Sequence, residues 1–105
     1  MRTLVLRLEY GCFPLWIYND NGELISNDMV PEIQDYVEIE NELMNIQSEY
    51  DKHFINNEVE FKYNKMDEGQ DKVCYLKKVE ELFTKLKEIL QDKYFLKNCI
   101  NEEVI

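Results

Sequence analysis

The chain has few of the residues from which most catalytic sites are built. It contains one histidine, His53, two serines and three glycines. A lone histidine without a nucleophile signature nearby is more often a surface or capping residue than a catalytic base. Three scattered glycines do not form a phosphate-binding loop. We therefore expect a protein that is not an enzyme and that uses no cofactor.

Cysteines and long apolar runs are scarce too. The three cysteines, Cys12, Cys74 and Cys99, include no CxxC pair, which excludes the common zinc motifs. We expect reduced, buried cysteines, and a reactive or intermolecular thiol is the alternative. The apolar run at the N-terminus is interrupted by Arg7 and is too short for a signal-peptide core or a membrane span. We expect a cytoplasmic protein with reduced thiols and no metal.

The composition predicts one domain over residues 1–105. The sequence is 45% hydrophobic, which is enough for a modest core in a chain of this length. Twelve basic residues stand against 22 acidic ones, giving a net charge of −10. Such a chain would be repelled by nucleic-acid phosphates and by anionic membranes, so we expect neither as a partner.

Residues 3–27 have the pattern of a β-meander. Leu4, Leu6 and Leu8 alternate with polar residues, as in a half-buried strand. A second apolar run, 15–18, is followed by Asn21-Gly22, which favours a type I′ hairpin turn because both residues tolerate positive φ. We expect residues 24–25 to pair with residues 17–18.

Two amphipathic helices and one more strand are predicted in the rest of the chain. An acidic helix is predicted over 31–55, a strand over 58–63, a C-terminal helix over 71–96 and a loosely held tail over 98–105. The apolar stripe of the first helix comprises Tyr36, Ile39, Leu43, Ile46, Tyr50 and Phe54. The stripe of the second comprises Val73, Leu76, Val79, Phe83, Leu86, Leu90 and Tyr94.

These elements predict an α+β fold, in which a small antiparallel sheet packs against the two helices. The sheet would combine the N-terminal hairpin or meander with the later strand, because neither helix can bury its apolar stripe alone. An interchain coiled coil is the alternative, although each helix has only about three heptads. The oligomeric state and the strand order stay open.

Acidic residues are concentrated in residues 31–60, where nine acids accompany the single Lys52. Four of them fall within one narrow sector, roughly 100° from the apolar stripe, and no lysine of the same helix separates them: Asp35, Glu38, Glu42 and Glu49. This pattern is compatible with a solvated face, with a docking surface for a basic partner or, less well, with a cation site.

The candidate partner-binding residues extend beyond these four acids. They include Glu58, Glu60, Trp16 and Tyr18. Trp16 and Tyr18 face outward if Leu15 and Ile17 of the same strand face the helices. Outward tryptophan and tyrosine are common interface anchors. Trp16 would otherwise only cover the open sheet face, and the reverse register is also possible because residues 15–18 are all apolar.

Three stretches of the chain resemble a known group of bacterial proteins: residues 9–16, the 20–28 segment with its Asn-Gly turn, and the end of the acidic helix at 50–54. They are similar to small proteins of low-GC Gram-positive bacteria that include cytosolic immunity proteins of polymorphic toxin systems. The resemblance implies a small acidic protein that binds and neutralises a cognate toxin, often a basic nuclease. It supplies no binding motif to carry over to individual residues.

Our hypothesis from the sequence is an immunity protein whose acidic helix face binds a basic toxin domain. Carboxylates placed where substrate phosphates would lie can accelerate encounter with such a domain. The alternative is a protein–protein adaptor or regulatory subunit unrelated to toxins. A small enzyme with an unrecognised site is a third possibility.

Overall fold

A four-stranded sheet and two helices make up most of the fold, which is of the α+β class that the sequence predicts. The computed structural model describes residues 1–56, 61–63 and 70–101. Along the chain the elements are β1 (Arg2–Leu6), β2 (Leu15–Tyr18), β3 (Leu24–Ser26), a 3₁₀ turn (Pro31–Ile33), α1 (Val37–Asp51), β4 (Phe54–Asn56), β5 (Phe61–Tyr63), α2 (Gln70–Leu90) and β6 (Tyr94–Asn98).

The sheet is mixed and not purely antiparallel, with the strand order β3-β2-β1-β6. β2 is antiparallel to both β1 and β3, whereas β6 pairs parallel to β1. Parallel neighbours need a long crossover connection, and α2 provides its last part. The later strand of this sheet is therefore β6. The segment predicted over 58–63 instead contributes β5, which pairs with β4 in a separate two-stranded sheet, and residues 58–60 lie outside the described part.

The two faces of the main sheet differ in what they contact. Leu4 and Leu6 of β1, with Leu15 and Ile17 of β2, belong to the hydrophobic core. Val5, which lies opposite Trp16 in the register, is buried outside that core cluster. The helices therefore cover the face predicted from the alternation in residues 4–8.

The β2–β3 hairpin forms where the sequence predicts it, but its turn is of another type. Gly22 has φ of +81°, and no residue other than glycine has positive φ in the described part, so Asn21 does not adopt the type I′ conformation. The Gly22 amide donates to the Asn19 carbonyl, and the Asn19 amide donates to the Glu23 carbonyl. This is the three-residue loop with glycine at the left-handed position. The Asn19 side chain stabilises it by accepting from the amides of Asn21 and Glu23.

The predicted 31–55 helix is interrupted near its start and ends early. Pro31–Ile33 forms a 3₁₀ turn that places Ile33 in the core, and α1 begins only at Val37 because Tyr36 has non-helical backbone angles. The Tyr36 side chain is exposed and does not belong to the buried stripe. At the other end α1 stops at Asp51, and the chain enters β4.

The C-terminal helix is also shorter than predicted, since it ends at Leu90 and the chain returns to the sheet as β6. Tyr94 is buried and Phe95 is exposed, which is the alternation of a strand. The predicted loose tail is held at its start, because the Cys99 amide donates to the Leu6 carbonyl and Ile100 is buried. Residues 102–105 lie outside the described part.

The buried face of α2 differs from the predicted stripe in register. Val73 is exposed, and Leu76 and Phe83 are only partly buried. The fully buried positions follow spacings of four, three, four and four residues: Tyr75, Val79, Leu82, Leu86 and Leu90. The Tyr75 hydroxyl donates to the Ile46 carbonyl over 2.6 Å, which fixes α2 against α1.

One partly buried hydrogen bond joins β6 to the 3₁₀ turn. The Tyr94 hydroxyl donates to a Glu32 carboxylate oxygen over 2.9 Å. Burial, together with this hydrogen bond and the charge of Glu32, raises the pKa of Tyr94 to about 12. An unfolded tyrosine loses its proton near pH 10. The contribution of Tyr94 to stability is therefore complete below pH 10 and is lost as the pH rises from 10 through about 12.

We expect Tyr94→Phe to lower the free energy of unfolding by about 1 kcal/mol at pH 8, because it removes this hydrogen bond. The difference from the wild type should shrink as the pH approaches 12. Urea unfolding of both proteins at pH 8 and pH 11 measures it, and the effects of the other tyrosines and of the lysines largely cancel in the difference. A difference that stays constant with pH would contradict the assignment.

Candidate protein-binding site

Two ion pairs join the facing edges of α1 and α2. Lys85 Nζ lies 2.8 Å from Glu42 Oε1, and Lys78 Nζ lies 3.0 Å from Glu49 Oε1. The two acids are two helical turns apart, as are the two lysines. The acid that comes first along α1 pairs with the lysine that comes second along α2. The helices therefore run antiparallel, with the start of α1 beside the end of α2.

These ion pairs divide the predicted acidic sector into two parts. Glu42 and Glu49 form its C-terminal part, and both are engaged by lysines of α2. The hydrogen bond and charge of Glu42, with smaller contributions from Glu38 and Glu81, raise the pKa of Lys85. The α1 sequence contains no sign of this pairing, because the lysines come from a helix that is distant in sequence.

Asp35 and Glu38 form the N-terminal part of the sector. Both side chains are exposed, and no ion pair engages either of them within residues 1–56, 61–63 and 70–101. Glu88 of the last turns of α2 lines the same cleft and is likewise exposed without an ion pair in that part of the chain. Three carboxylates therefore line one cleft at this end of the helix pair.

The helix dipole explains only part of this acidic group. Glu38 lies in the first turn of α1, where a negative charge stabilises a helix by about 0.3–1 kcal/mol. Glu88 lies near the C-terminus of α2, where the same dipole disfavours a negative charge. The position of Glu88 is thus not explained by the stability of its own helix.

Apolar side chains are exposed beside these carboxylates. Tyr36 is 47% exposed and Val37 is 62% exposed. Tyr36 was predicted from the sequence to lie in the buried stripe, and neither Val37 nor Glu88 was predicted to belong to a site. We refer to Asp35, Tyr36, Val37, Glu38 and Glu88 together as the helix-end patch.

Trp16 and Tyr18 lie on the opposite side of the sheet from the helices. Trp16 is only 9% exposed, its indole N–H donates to the Arg7 carbonyl over 3.0 Å, and the Arg7 guanidinium lies 4.4 Å from its ring centre. Tyr18 is half-buried. Trp16 therefore offers little free area to a partner, and neither residue adjoins the helix-end patch. Glu58 and Glu60 lie outside the described residues.

The other end of α1 is held to the β1–β2 loop by hydrogen bonds. One Asp51 carboxylate oxygen accepts from the Gly11 amide over 3.1 Å and from the Gln47 side-chain amide over 2.9 Å. The same Gln47 amide group donates to the Glu9 carbonyl over 2.8 Å. Asp51 therefore has a structural role, and this attachment fixes the direction in which α1 presents its first turn.

In the described part of the chain, no group of three or more histidine, cysteine, aspartate or glutamate side chains is arranged to hold a metal ion. The same residues include no helix long and apolar enough to cross a membrane. The chemistry that the helix-end patch offers is recognition of positive charge beside an apolar surface.

Comparison of the sequence with models of protein families and with curated proteins gives no match.

Proposed function

We propose that this protein is an immunity protein, which binds a basic protein toxin and neutralises it. The observation that carries the proposal is the helix-end patch. Its three carboxylates form no ion pair with any residue that the structure describes, whereas Glu42 and Glu49 pair with lysines of α2. The proposal relocates the predicted acidic surface toward the start of α1, and it adds one acid from α2.

Electrostatic steering supports this role. A net charge of −10 attracts a basic domain from a distance, and a local group of unneutralised carboxylates orients it on arrival. Carboxylates that already have a lysine partner contribute less, because their field is cancelled at short range. Glu42 and Glu49 are therefore secondary in the proposal.

The exposed apolar side chains support stable binding as well as encounter. Tyrosine brings a large contact area at a low cost in conformational entropy, and it is common among residues that dominate binding energy. Tyr36 and Val37 would lie at the centre of the contact, with the carboxylates at its rim. This arrangement is typical of interfaces that release slowly.

Neither catalysis nor a cofactor is part of the proposal. A cytoplasmic location is part of it, and the free thiols of Cys12, Cys74 and Cys99 fit a reducing compartment. A nuclease is the toxin class that fits best, because carboxylates can occupy the positions of substrate phosphates in its basic cleft.

Co-expression tests the proposal. If the neighbouring gene encodes a secreted protein with a basic C-terminal domain, the wild-type protein should restore growth of cells that produce this domain. The triple variant D35N/E38Q/E88Q should restore growth poorly. The control triple E23Q/E80Q/D92N removes as much charge from exposed acids outside the patch and should restore growth fully.

Failure of the wild-type protein to restore growth while it still binds the domain would contradict neutralisation and favour an adaptor. Equal rescue by both triple variants would show that the patch does not carry the function.

A further inference from the structure

The helix-end patch surrounds a cleft between the start of α1 and the end of α2, with a volume of about 410 Å³. Its apolar lining includes Tyr36, Ile39 and Ile89, and its charged lining includes Asp35, Glu38 and Glu88. Ile39 is buried and belongs to the core, so the floor of the cleft is held in place by the packing of α1. Tyr36 and Val37 are exposed at its mouth.

Lys85 also lines the cleft, but its charge is already engaged. Its ammonium donates to Glu42 over 2.8 Å, and this ion pair is neutral overall. None of the three carboxylates of the cleft forms an ion pair in the described part of the chain, and Glu38 acts on Lys85 only through its charge. The cleft combines a net negative charge with an apolar, partly aromatic wall.

A long cationic side chain fits this combination better than other occupants. Its aliphatic stem can pack on the apolar wall while its charged head reaches the carboxylates. A second copy of this chain, at a net charge of −10, would be repelled. The described residues do not provide a set of ligands for a metal ion.

We propose that this cleft binds an arginine side chain of the basic partner, an inference that rests on the proposed function. A guanidinium is planar, so it stacks on an aromatic ring and can donate two parallel hydrogen bonds to one carboxylate. An ammonium can also approach the face of a ring, but it cannot stack flat on it or donate two parallel hydrogen bonds to one carboxylate. Tyr36 supplies the ring, and Glu38 and Glu88 supply the carboxylates.

Peptide titration tests this inference without the toxin. The probes are a capped arginine-rich peptide and its lysine counterpart of equal length and charge, each added to the ¹⁵N-labelled full-length protein. Amide shifts should change in residues 35–39 and 85–89. The arginine peptide should bind about two- to fivefold more tightly than the lysine peptide, because only the guanidinium stacks flat on the ring and pairs with a carboxylate through two parallel hydrogen bonds.

Matched variants identify the source of the preference. Tyr36→Leu should reduce the preference for arginine, because it removes the stacking and leaves only the paired hydrogen bonds, and it should weaken binding of the lysine peptide less. Phe95→Leu changes another exposed aromatic residue, on the sheet, and should leave both affinities unchanged. E38Q/E88Q should weaken the binding of both peptides. An unaltered spectrum outside the mutated region shows that each variant is folded.

Equal affinity for the two peptides, shift changes elsewhere, or an arginine preference that Tyr36→Leu does not reduce would overturn the inference. These outcomes are separate from the rescue experiment. Rescue without peptide binding in the cleft would refute the arginine site and leave the immunity role intact. Tyr36-dependent binding of arginine without rescue would support the site and refute the toxin role.

Discussion

Leu43→Ala is expected to lower the free energy of unfolding by about 3 kcal/mol, whereas Met44→Ala should change it by less than about 0.5 kcal/mol. The two residues are adjacent in α1, but Leu43 is completely buried and Met44 is 54% exposed. Loss of the Leu43 side chain removes apolar area from the core and leaves a cavity between α1, α2 and the sheet. Removal of the Met44 side chain leaves no cavity.

Urea unfolding measures both effects, and an m-value that is the same for the wild type and the variants shows that the change is one of stability. In a domain of this size, 3 kcal/mol corresponds to a fall in Tm on the order of 15 °C. Similar losses for the two variants would mean that α1 does not face the core as described.

Local patterns in the sequence predicted much of this fold. The β2–β3 hairpin depends on residues 15–26 alone, so the Asn-Gly turn and the flanking apolar residues were sufficient to locate it. The predicted type I′ turn was wrong. The Asn19 side chain caps the loop, and Gly22 is the one residue of the loop with positive φ. Side-chain hydrogen bonds of this kind decide between turns of similar energy.

Contacts between distant segments account for the main errors. Tyr94 continues the apolar stripe of the helix predicted over 71–96, and only pairing with β1 at the other end of the chain makes residues 94–98 a strand. Strand propensity depends strongly on such neighbours. The parallel direction of β6 and its place at the sheet edge were not predictable from its own residues.

The candidate site was also predicted only in part, because local spacing predicts some of its features and contacts between distant segments decide the others. The spacing of Asp35, Glu38, Glu42 and Glu49 predicted one acidic sector on a helix. The helical periodicity was correct for the three glutamates, whereas Asp35 lies before the start of α1. Which of these acids form ion pairs depends on α2, because in the described part of the chain its lysines pair with Glu42 and Glu49. Glu88 could not be assigned to the surface before the antiparallel arrangement of the helices was known.

Association with the toxin domain should slow about tenfold at low ionic strength when Asp35, Glu38 and Glu88 are replaced by their amides. The triple variant keeps a negative net charge, so its lower association rate reports the loss of local steering more than the change in net charge. Dissociation should change less, because Tyr36 and Val37 still form the apolar contact. E42Q/E49Q should have a smaller effect, since both acids are paired with lysines.

The most direct test of the account is the association rate constant, measured by stopped flow over a series of salt concentrations, for the wild type, D35N/E38Q/E88Q and E23Q/E80Q/D92N. The two triple variants have the same net charge. We expect the control triple to retain most of the wild-type rate and salt dependence, and the patch triple to be slow with a shallow salt dependence. Indistinguishable rates and salt slopes for the two triple variants would contradict the claim that the helix-end patch receives the basic partner.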